Sequence, residues 1–311
     1  MNDTATLKSE KKNLSDQFEM DDHGELHYIL GMAVKRDRKK RVLTIDQKIY
    51  LQDVLKRFGM EDCKPVATPV EPGKKFTVLK DEKEAFPIVQ MYQAAIGSLN
   101  YAAIATRPDL SVAVGMLSQH MRNPSHEHWS GVKRVLRYIR GSIDFGLRFT
   151  HSDEFVLSGF ADADWAGCVD TRKSTSGEFF KLGNNPISWR SKKQSIVALS
   201  SCEAEYVSLC SATQEVVWLR RLLNSVGFTQ NNPTIMYEDN QGAICLSKKS
   251  KDHSRTKHVD VKYHYTREVI EKNLITLEYC PTGDMIADTL TKGLPKPAFE
   301  KFRAEMGVHR C

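Results

Sequence analysis

Apolar and polar residues follow two different periods in two parts of the chain. Between residues 88 and 140, apolar residues recur at helical spacing in YQAAIGSLNYAAIA, in DLSVAVGMLSQHM after Pro108, and in HEHWSGVKRVLRYIR after Ser125. From about residue 151 the period becomes two, and FVLSGFADADW, TSGEFFKLG and PISWRSK predict three successive strands. The first part therefore predicts three helices, and the second predicts the beginning of a sheet.

Helices and strands alternate after these three strands. The pattern predicts a long helix, CEAEYVSLCSATQEVVWLRRLLNSVG, which ends at Gly227, then a strand TIMYED, a helical QGAICLSK, a basic loop and a helix VKYHYTREVIEKN. A strand LITLEYC and a terminal helix DMIADTLTKGL complete it. The sequence therefore predicts an α/β fold of the mixed α+β kind, in which a five-stranded mixed sheet is flanked by helices.

The beginning of the chain predicts smaller elements. A short amphipathic helix is predicted over residues 8–20, and strands over 26–34 and 41–47 form a hairpin around RDRKK. QKIYLQDVLKRFGM has helical spacing, and CKPVATPVEPGKKF, with three prolines, predicts an extended connector. We divide the chain into residues 1–75 with hairpin, helix and connector, residues 76–150 with helices, and residues 151–311 with the sheet.

The net charge of +6 is modest, but the basic residues are clustered. Clusters occur at RDRKKR (36–41), KRVLRYIR (133–140), WRSKK (189–193) and KKSKDHSRTKHVDVK (248–262). Such clustering is typical of a phosphate-binding surface. For the helix at 133–140, a solvated helix face explains the basic residues equally well.

The cysteines and histidines do not form a familiar metal site. None of the seven cysteines stands in a CxxC pair, which argues against a zinc site and against a disulfide framework. The HEH triplet at 126–128 lacks the HExxH spacing and is expected on the surface. No apolar run approaches ~20 residues and the start has no signal-like segment, so we expect an intracellular protein, cytoplasmic or nuclear, without membrane contact.

Four carboxylates occupy the predicted ends of strands and helices. Asp162 ends the first strand, Glu205 lies in the first turn of the long helix, Asp239 ends the fourth strand, and Asp288 lies in the last helix. If they meet at one sheet edge, their mutual repulsion favours a pair of Mg²⁺ or Mn²⁺ ions. A single aspartate at a strand end is more often a turn residue, and spacing alone does not distinguish Asp162 from Asp164.

Long blocks of the sequence resemble one family. GFADADWAGCVDTRKSTSGEFF, ISWRSKKQSIVALSSCEAEYVSL, YEDNQGAI, RTKHVDVKYHYTREVI and IADTLTKGL together resemble the ribonuclease H domain of copia-type LTR retrotransposon Pol polyproteins. GELHYILGMAV, YLQDVLKRFGM, CKPVATPV, YQAAIGSLNYAAIATRPDLSVAV and VLRYIRGS resemble the end of the reverse-transcriptase palm, the thumb and the connection region. The resemblance implies a ribonuclease H-like domain over 151–311, preceded by a partial reverse-transcriptase hairpin, thumb and helical connection.

The resemblance also implies an activity and its residues. The family's metal-binding and catalytic carboxylates correspond to Asp162, Glu205, Asp239 and Asp288, which would hold two Mg²⁺ or Mn²⁺ ions and cleave the RNA strand of an RNA–DNA hybrid. We expect the neighbouring acids Asp164, Glu203 and Glu238 to be supporting or surface residues. Candidates for phosphate contact are Arg172, Lys173, Arg190, Lys192, Lys193, Lys257 and Lys262.

Departures from the family pattern leave alternatives open. No YxDD turn is present, so DNA synthesis is not expected of this chain alone, and a separate polymerase fragment or a host reverse transcriptase is a candidate partner. The loop CPTGDM lacks the histidine of many cellular ribonucleases H, and His258 and His264 are expected mainly on the basic surface. One alternative is an inactive or co-opted remnant that only binds nucleic acid. Another is an integrase-like or transposase-like nuclease, against which the fourth acid in ADTLTK argues.

Overall fold

The computed structural model describes residues 4–248 and 257–311 of the chain. Within these residues the strands form two five-stranded sheets. The first sheet contains β1 (Tyr28–Ile29), β2 (Met32–Asp37), β3 (Val42–Asp46), β4 (Phe145–Thr150) and β10 (Val308–Arg310). The second contains β5 (Leu157–Asp164), β6 (Thr175–Leu182), β7 (Asn185–Lys193), β8 (Thr234–Glu238) and β9 (Ile275–Tyr279).

Helices cover both sheets. The α-helices of the described residues are α1 (Thr4–Gln17), α2 (Lys48–Arg57), α3 (Val89–Ala105), α4 (Ser111–Ser118), α5 (His126–Gly141), α6 (Ser201–Ser225), α7 (Gln241–Lys248), α8 (Lys257–Glu271) and α9 (Lys296–Glu305). Short 3₁₀ helices occur at Glu82–Glu84, Pro108–Leu110, Thr282–Asp284 and Ile286–Leu290. Among the helices of this described part, none combines the length and the apolar character that crossing a bilayer requires.

The second sheet has the mixed topology that the sequence predicts. Its strand order is β7-β6-β5-β8-β9, with β5 antiparallel to β6 and parallel to β8. Strand β9 is parallel to β8, and β7 is antiparallel to β6. The predicted fold class, a five-stranded mixed sheet flanked by helices, is therefore confirmed.

The two faces of the second sheet pack against different cores. Leu157 and Ala161 of β5 share a core with Leu209 and Val216 of α6. Phe160, on the opposite face, belongs to a core that extends through the helices before residue 150 and through α9. The sheet is thus covered by α6 on one face and by the earlier helices on the other. The division at residues 75 and 150 stays a prediction.

The end of the chain differs from the predicted terminal helix. DMIADTLTKGL contains the 3₁₀ helix Ile286–Leu290, and α9 and β10 follow it without having been predicted. Strand β10 pairs antiparallel with β4, which was also missed, through Val308 and Leu147. Three residues are too few for a detectable period, and β10 exists because a distant strand supplies its hydrogen bonds.

The predicted hairpin near the start is present, but its first strand is divided into two. The strand expected over 26–34 is split into β1 and β2, because Leu30 and Gly31 adopt positive φ angles of 49° and 74° and make a tight turn. Helix α1 ends at Gln17, three residues earlier than expected.

Basic residues of α5 hold the proline-rich connector. Arg134 binds the Glu71 carboxylate at 2.7 Å, and Arg137 donates to the backbone carbonyl of Lys64 at 2.7 Å. Arg140 donates to the backbone carbonyl of Glu61, just before the connector. These three side chains therefore help to hold the segment from Glu61 to Glu71 against α5.

The prediction that the HEH triplet lies on the surface is wrong for His128. His126 is exposed, but His128 is fully buried and its ring stacks on His120, with ring centroids 3.8 Å apart. His128 Nδ1 accepts from the backbone N–H of Ser125 at 2.9 Å, which leaves Nε2–H to donate to the carbonyl of Thr77 at 3.0 Å. Ser125 and His120 are close in sequence, but the spacing within the triplet does not indicate contacts outside it, and Thr77 is 51 residues away.

Candidate metal centre

Two parallel strands bring two of the predicted carboxylates, Asp162 and Asp239, to one edge of the second sheet. Asp162 lies near the end of β5, and Asp239 directly follows β8. Because β5 and β8 are parallel, their carboxyl ends lie side by side. Glu205 reaches the same edge from the second turn of α6, whose N-terminus Ser200 caps by accepting from the backbone N–H of Glu203.

Asp162, Glu205 and Asp239 converge closely. Each offers a carboxylate oxygen, and these three oxygens lie within 4.8 Å of one another. Asp162 and Glu205 are 2% and 6% exposed, while Asp239 is half-buried and leaves the group accessible from one side. Such hard oxygen ligands, open to solvent on one side, fit Mg²⁺ or Mn²⁺, which retain water.

The electrostatics of the group favour a bound cation. Burial and the nearby Asp288 carboxylate raise the pKa of Asp162 to about 8. Burial, followed by repulsion from Asp162, Glu238 and Asp239, raises the pKa of Glu205 to about 11. Glu205 Oε2 is buried and has no hydrogen-bond partner among the described residues. A divalent ion would satisfy this oxygen and offset the repulsion.

The fourth predicted carboxylate lies beside this group, outside the set of three. Asp288 is 4% exposed and lies close enough to Asp162 to share a hydrogen bond with it. Lys292 Nζ binds Asp288 Oδ1 at 2.6 Å. Burial lowers the pKa of Lys292, but the Asp162 and Asp288 carboxylates outweigh this effect and the pKa is raised. The positively charged side chain of Lys292 is therefore part of the site, and it was not predicted from the sequence.

A glycine allows the segment with Asp288 to reach the sheet. Gly177 of β6 is paired with Asp162, and a Cβ added there would come within 2.7 Å of the Ala287 carbonyl oxygen and of the Thr291 side chain. Thr291 Oγ1 in turn donates to Asp162 Oδ2 at 2.5 Å. The absence of a side chain at position 177 thus lets the 3₁₀ helix sit directly against the strand that carries Asp162.

The neighbouring acids have separate roles. Asp164 binds Lys75 Nζ at 2.7 Å, and Glu203 Oε2 accepts from the backbone N–H of Leu199. Glu238 is fully buried, accepts from the backbone N–H of Asn240 at 3.1 Å, and has its pKa raised, chiefly by burial. The sequence gave no clear signal for its burial, since the apolar Ile235 and Tyr237 lie on the less buried side of β8 and Glu238 on the other.

A threonine from the loop after β9 also contacts the centre. Thr282 Oγ1 donates to Asp239 Oδ2 at 2.7 Å, which leaves Asp239 Oδ1 for another ligand. Thr282 stands in the CPTGDM loop, for which the sequence indicated only a missing histidine. Its contact depends on the parallel pairing of β8 with β9 and had no local signal.

The predicted phosphate-contact residues fall into different settings. Arg172 and Lys192 are exposed and Lys173 is half-buried. Arg190 binds the buried Glu178 at 2.8 Å, and Lys193 donates to Cys168 Sγ and Gln119 Oε1, so both are partly engaged within the chain. His264 is exposed. The side chains of Lys257, Lys262 and His258 lie outside the described residues.

Comparison with known proteins shows the family. The chain is 41% identical over 99% of its length to the retrovirus-related Pol polyprotein from transposon TNT 1-94 of Nicotiana tabacum. It is also 41% identical, over 99% of its length, to the corresponding polyprotein from transposon RE2 of Arabidopsis thaliana. It spans 23% and 21% of the lengths of these two relatives. No protein-family model matches.

The fold, the acidic site and these similarities place the chain among the retroelement polyproteins, in a region that contains a five-stranded mixed sheet. More specifically, the chain belongs to the retrovirus-related Pol polyproteins of copia-type transposons and corresponds to their C-terminal part.

Solved structures give weaker matches. Ribonuclease H1 from Halobacterium salinarum is 15% identical, covering 43% of this chain and 93% of that chain, with a TM-score of 0.32. The foamy viral protease-reverse transcriptase in complex with RNA/DNA hybrid is 12% identical, covering 83% of this chain and 29% of that chain, with a TM-score of 0.43. Because both TM-scores are below 0.5, the ligands of these proteins are not transferred to this chain.

Proposed function

We propose that this chain is a divalent-metal-dependent endonuclease that cleaves the RNA strand of RNA–DNA hybrids. The observation that carries the proposal is the convergence of Asp162, Glu205 and Asp239, whose carboxylate oxygens lie within 4.8 Å of one another at one sheet edge. Buried carboxylates that repel one another are costly unless a cation binds them. Membership of the copia-type Pol family supports the choice of substrate.

The residues have distinct roles in this proposal. Asp162, Glu205 and Asp239 would hold the two Mg²⁺ or Mn²⁺ ions, and Asp288 would be a looser ligand. When bound, such ions activate a water molecule and stabilise the leaving oxygen of a phosphodiester. Thr291 and Thr282 would orient the carboxylates, since Thr291 donates to Asp162 Oδ2 and Thr282 donates to Asp239 Oδ2.

Lys292 neutralises part of the negative charge of the centre. Its ammonium group binds Asp288 Oδ1 at 2.6 Å, on the side of Asp162 where Thr291 also lies. Asp288 therefore reaches an ion only in competition with Lys292, which agrees with a looser role for this carboxylate.

The substrate would be recognised by shape and backbone. Proteins distinguish RNA–DNA hybrids through groove width and 2′-hydroxyl contacts, without reading bases. Of the predicted phosphate-contact residues, the exposed Arg172 and Lys192 are free to reach solvent-side phosphates. Arg190 and Lys193 would have to exchange part of their contacts with Glu178 and Gln119.

Substitution of Asp239 by asparagine tests the proposal. Asp239→Asn keeps the size of the side chain but removes a charged ligand, so Mg²⁺-dependent cleavage of a labelled hybrid should fall at least ~10³-fold, about 4 kcal/mol in activation free energy. Hybrid affinity measured in EDTA should change little, because Asp239 would contact the hybrid only through the bound ions.

A matched control is Asp16→Asn, which removes one carboxylate from the exposed helix α1 and should leave cleavage unchanged. Undiminished cleavage by Asp239→Asn would remove the metal assignment. If the unaltered chain binds hybrids but cleaves none with Mg²⁺ or Mn²⁺, the inactive, nucleic-acid-binding remnant is the correct alternative.

A further inference from the structure

A basic cleft lies on the first sheet, away from the metal centre. It has a volume of about 570 Å³, and both strands of the β2–β3 hairpin and the end of β4 line it. The pairing register explains its composition. Arg36, Leu43 and Phe149 are cross-strand partners, so their side chains stand in one row on the same face of the sheet.

The turn that joins β2 to β3 adds more basic residues to the cleft. Arg38 and Arg41 of this turn also line it, and the backbone N–H of His151 donates to the Arg41 carbonyl. The cleft therefore presents three arginines and a histidine around an apolar floor of Leu43 and Phe149.

Nearby carboxylates do not cancel this charge. Arg38 binds Glu25, Asp37 accepts from the backbone N–H groups of Lys39 and Lys40, and His151 Nε2 is 3.2 Å from Asp153. Even so, the hairpin segment 35–41 contains six basic residues and one acidic residue. All seven of these side chains are exposed, so the positive charge is available to a ligand.

We propose that this basic cleft is a second nucleic-acid site, which binds the phosphodiester backbone of a polynucleotide strand. Arginine forks match the oxygens of phosphate groups, and three arginines spread over the strand and the turn suit a repeating polyanion better than a single phosphate. The Phe149 ring and Leu43 give a base an apolar surface to lie on. The inference rests on the proposed function only in taking a nucleic acid as the ligand.

The cleft is too far from the metal centre to belong to it. Thr150, at the rim of the cleft, donates from its backbone N–H to Asn185 Oδ1 at 2.7 Å. Asn185 pairs with Leu182, which pairs with Leu157, five residues before Asp162. At ~3.3 Å per residue, the cleft is therefore at least ~17 Å from Asp162 along the strands. One phosphate cannot contact both sites, so a long hybrid is needed to bridge them.

The test compares a cleft variant with a charge-matched control. Arg36→Gln, Arg38→Gln and Arg41→Gln are combined, and binding to a fluorescent hybrid of about two dozen base pairs is followed by anisotropy in EDTA at several salt concentrations. Each phosphate contact contributes roughly 0.7–0.9 to the slope of log K against log salt, so the slope should fall by about 2 and low-salt affinity by at least ~10-fold. Inorganic phosphate at millimolar concentration should not compete.

The control combines Lys8→Gln, Lys12→Gln and Lys80→Gln, three exposed lysines outside the cleft, and makes the same change of net charge. Circular dichroism verifies that both triple variants are folded. Equal slopes for the two variants would contradict the proposal that the cleft binds a polynucleotide. Competition by inorganic phosphate would instead indicate a site for small anions.

Cleavage separates the two proposals. If the unaltered chain cleaves no hybrid but the salt slope still falls in the cleft variant, the proposed function fails and the second site stands.

Discussion

Among the described residues, two buried groups of charged side chains have opposite environments. Arg107 and Asp109 are fully buried, and two hydrogen bonds of 2.9 and 2.8 Å join the guanidinium to the carboxylate. Arg107 also donates to Ser142, and Tyr138 donates to Asp109 Oδ2 at 2.6 Å. At the metal centre, by contrast, the main charged neighbours of the buried Glu205 are other carboxylates.

The pKa values show the consequence of this difference. Burial alone would raise the pKa of Asp109, but Arg107 and Tyr138 outweigh burial and the pKa is lowered. The pKa of Asp162 is instead raised to about 8, and that of Glu205 to about 11. A buried charge that the chain itself neutralises supports the fold, whereas one that it leaves uncompensated indicates a site for an external cation.

Removing one carboxylate from each group should give the largest contrast. Asp109→Asn leaves Arg107 buried without its counter-charge and should lower the free energy of unfolding by about 3–5 kcal/mol. Asp162→Asn removes a repelling charge, so in EDTA at pH 8 it should leave the free energy of unfolding unchanged or raise it. Urea denaturation followed by circular dichroism measures both. Equal losses in the two variants would contradict the distinction between the groups.

The pH dependence of stability sharpens the same contrast. Asp162 and Glu205 have raised pKa values in the folded chain, so from about pH 4 to pH 8 the folded state binds more protons than the unfolded state. The free energy of unfolding of the metal-free chain should therefore fall as pH rises, by about 1.4 kcal/mol per pH unit for each extra proton. Thermal unfolding in EDTA at several pH values measures this slope. Asp162→Asn should flatten it, and an unchanged slope in that variant would assign the effect elsewhere.

Magnesium should produce the smallest of these effects. Ions bind the deprotonated carboxylates, so at pH 8 a Mg²⁺ concentration about fivefold above the dissociation constant should raise the free energy of unfolding by about 1 kcal/mol. Calorimetric titration gives the dissociation constant without reference to activity. Asp239→Asn should lose this stabilisation and Asp16→Asn should keep it. Equal stabilisation of both variants would place the bound ion outside the group.

The local sequence pattern predicted some elements correctly and others wrongly. The sequence pattern in β5 and β6 was sufficient to predict those strands, although both faces of each strand are largely buried. The terminal helix over DMIADTLTKGL was predicted wrongly, since the tight 3₁₀ turn of Ile286–Leu290 depends on close contact with Gly177. His128 was placed on the surface because only metal-ligand spacing was considered for the triplet, whereas its burial depends on stacking with His120 and on a hydrogen bond to Thr77, 51 residues away.

The local sequence pattern could not distinguish two neighbouring aspartates, Asp162 and Asp164. Asp162 and Asp164 have the same parity in β5, so alternation places both on one face. Lys75, 89 residues earlier in the chain, neutralises Asp164, whereas Asp162 faces Asp288 and Thr291. Family resemblance selected Asp162, and the arrangement of the chain supplies the physical reason for that selection.

The sequence by itself determined the strands and helices of the second sheet, the family, and the set of acids from which a site could be built. These properties depend on the periodicity of apolar residues and on motifs, which are both local. Only the tertiary structure decided which acids are left without a counter-charge, because Lys75, Lys292 and Arg107 reach their partners through folding. Charge compensation acts over a few ångströms in space, and the order of residues alone does not specify those distances.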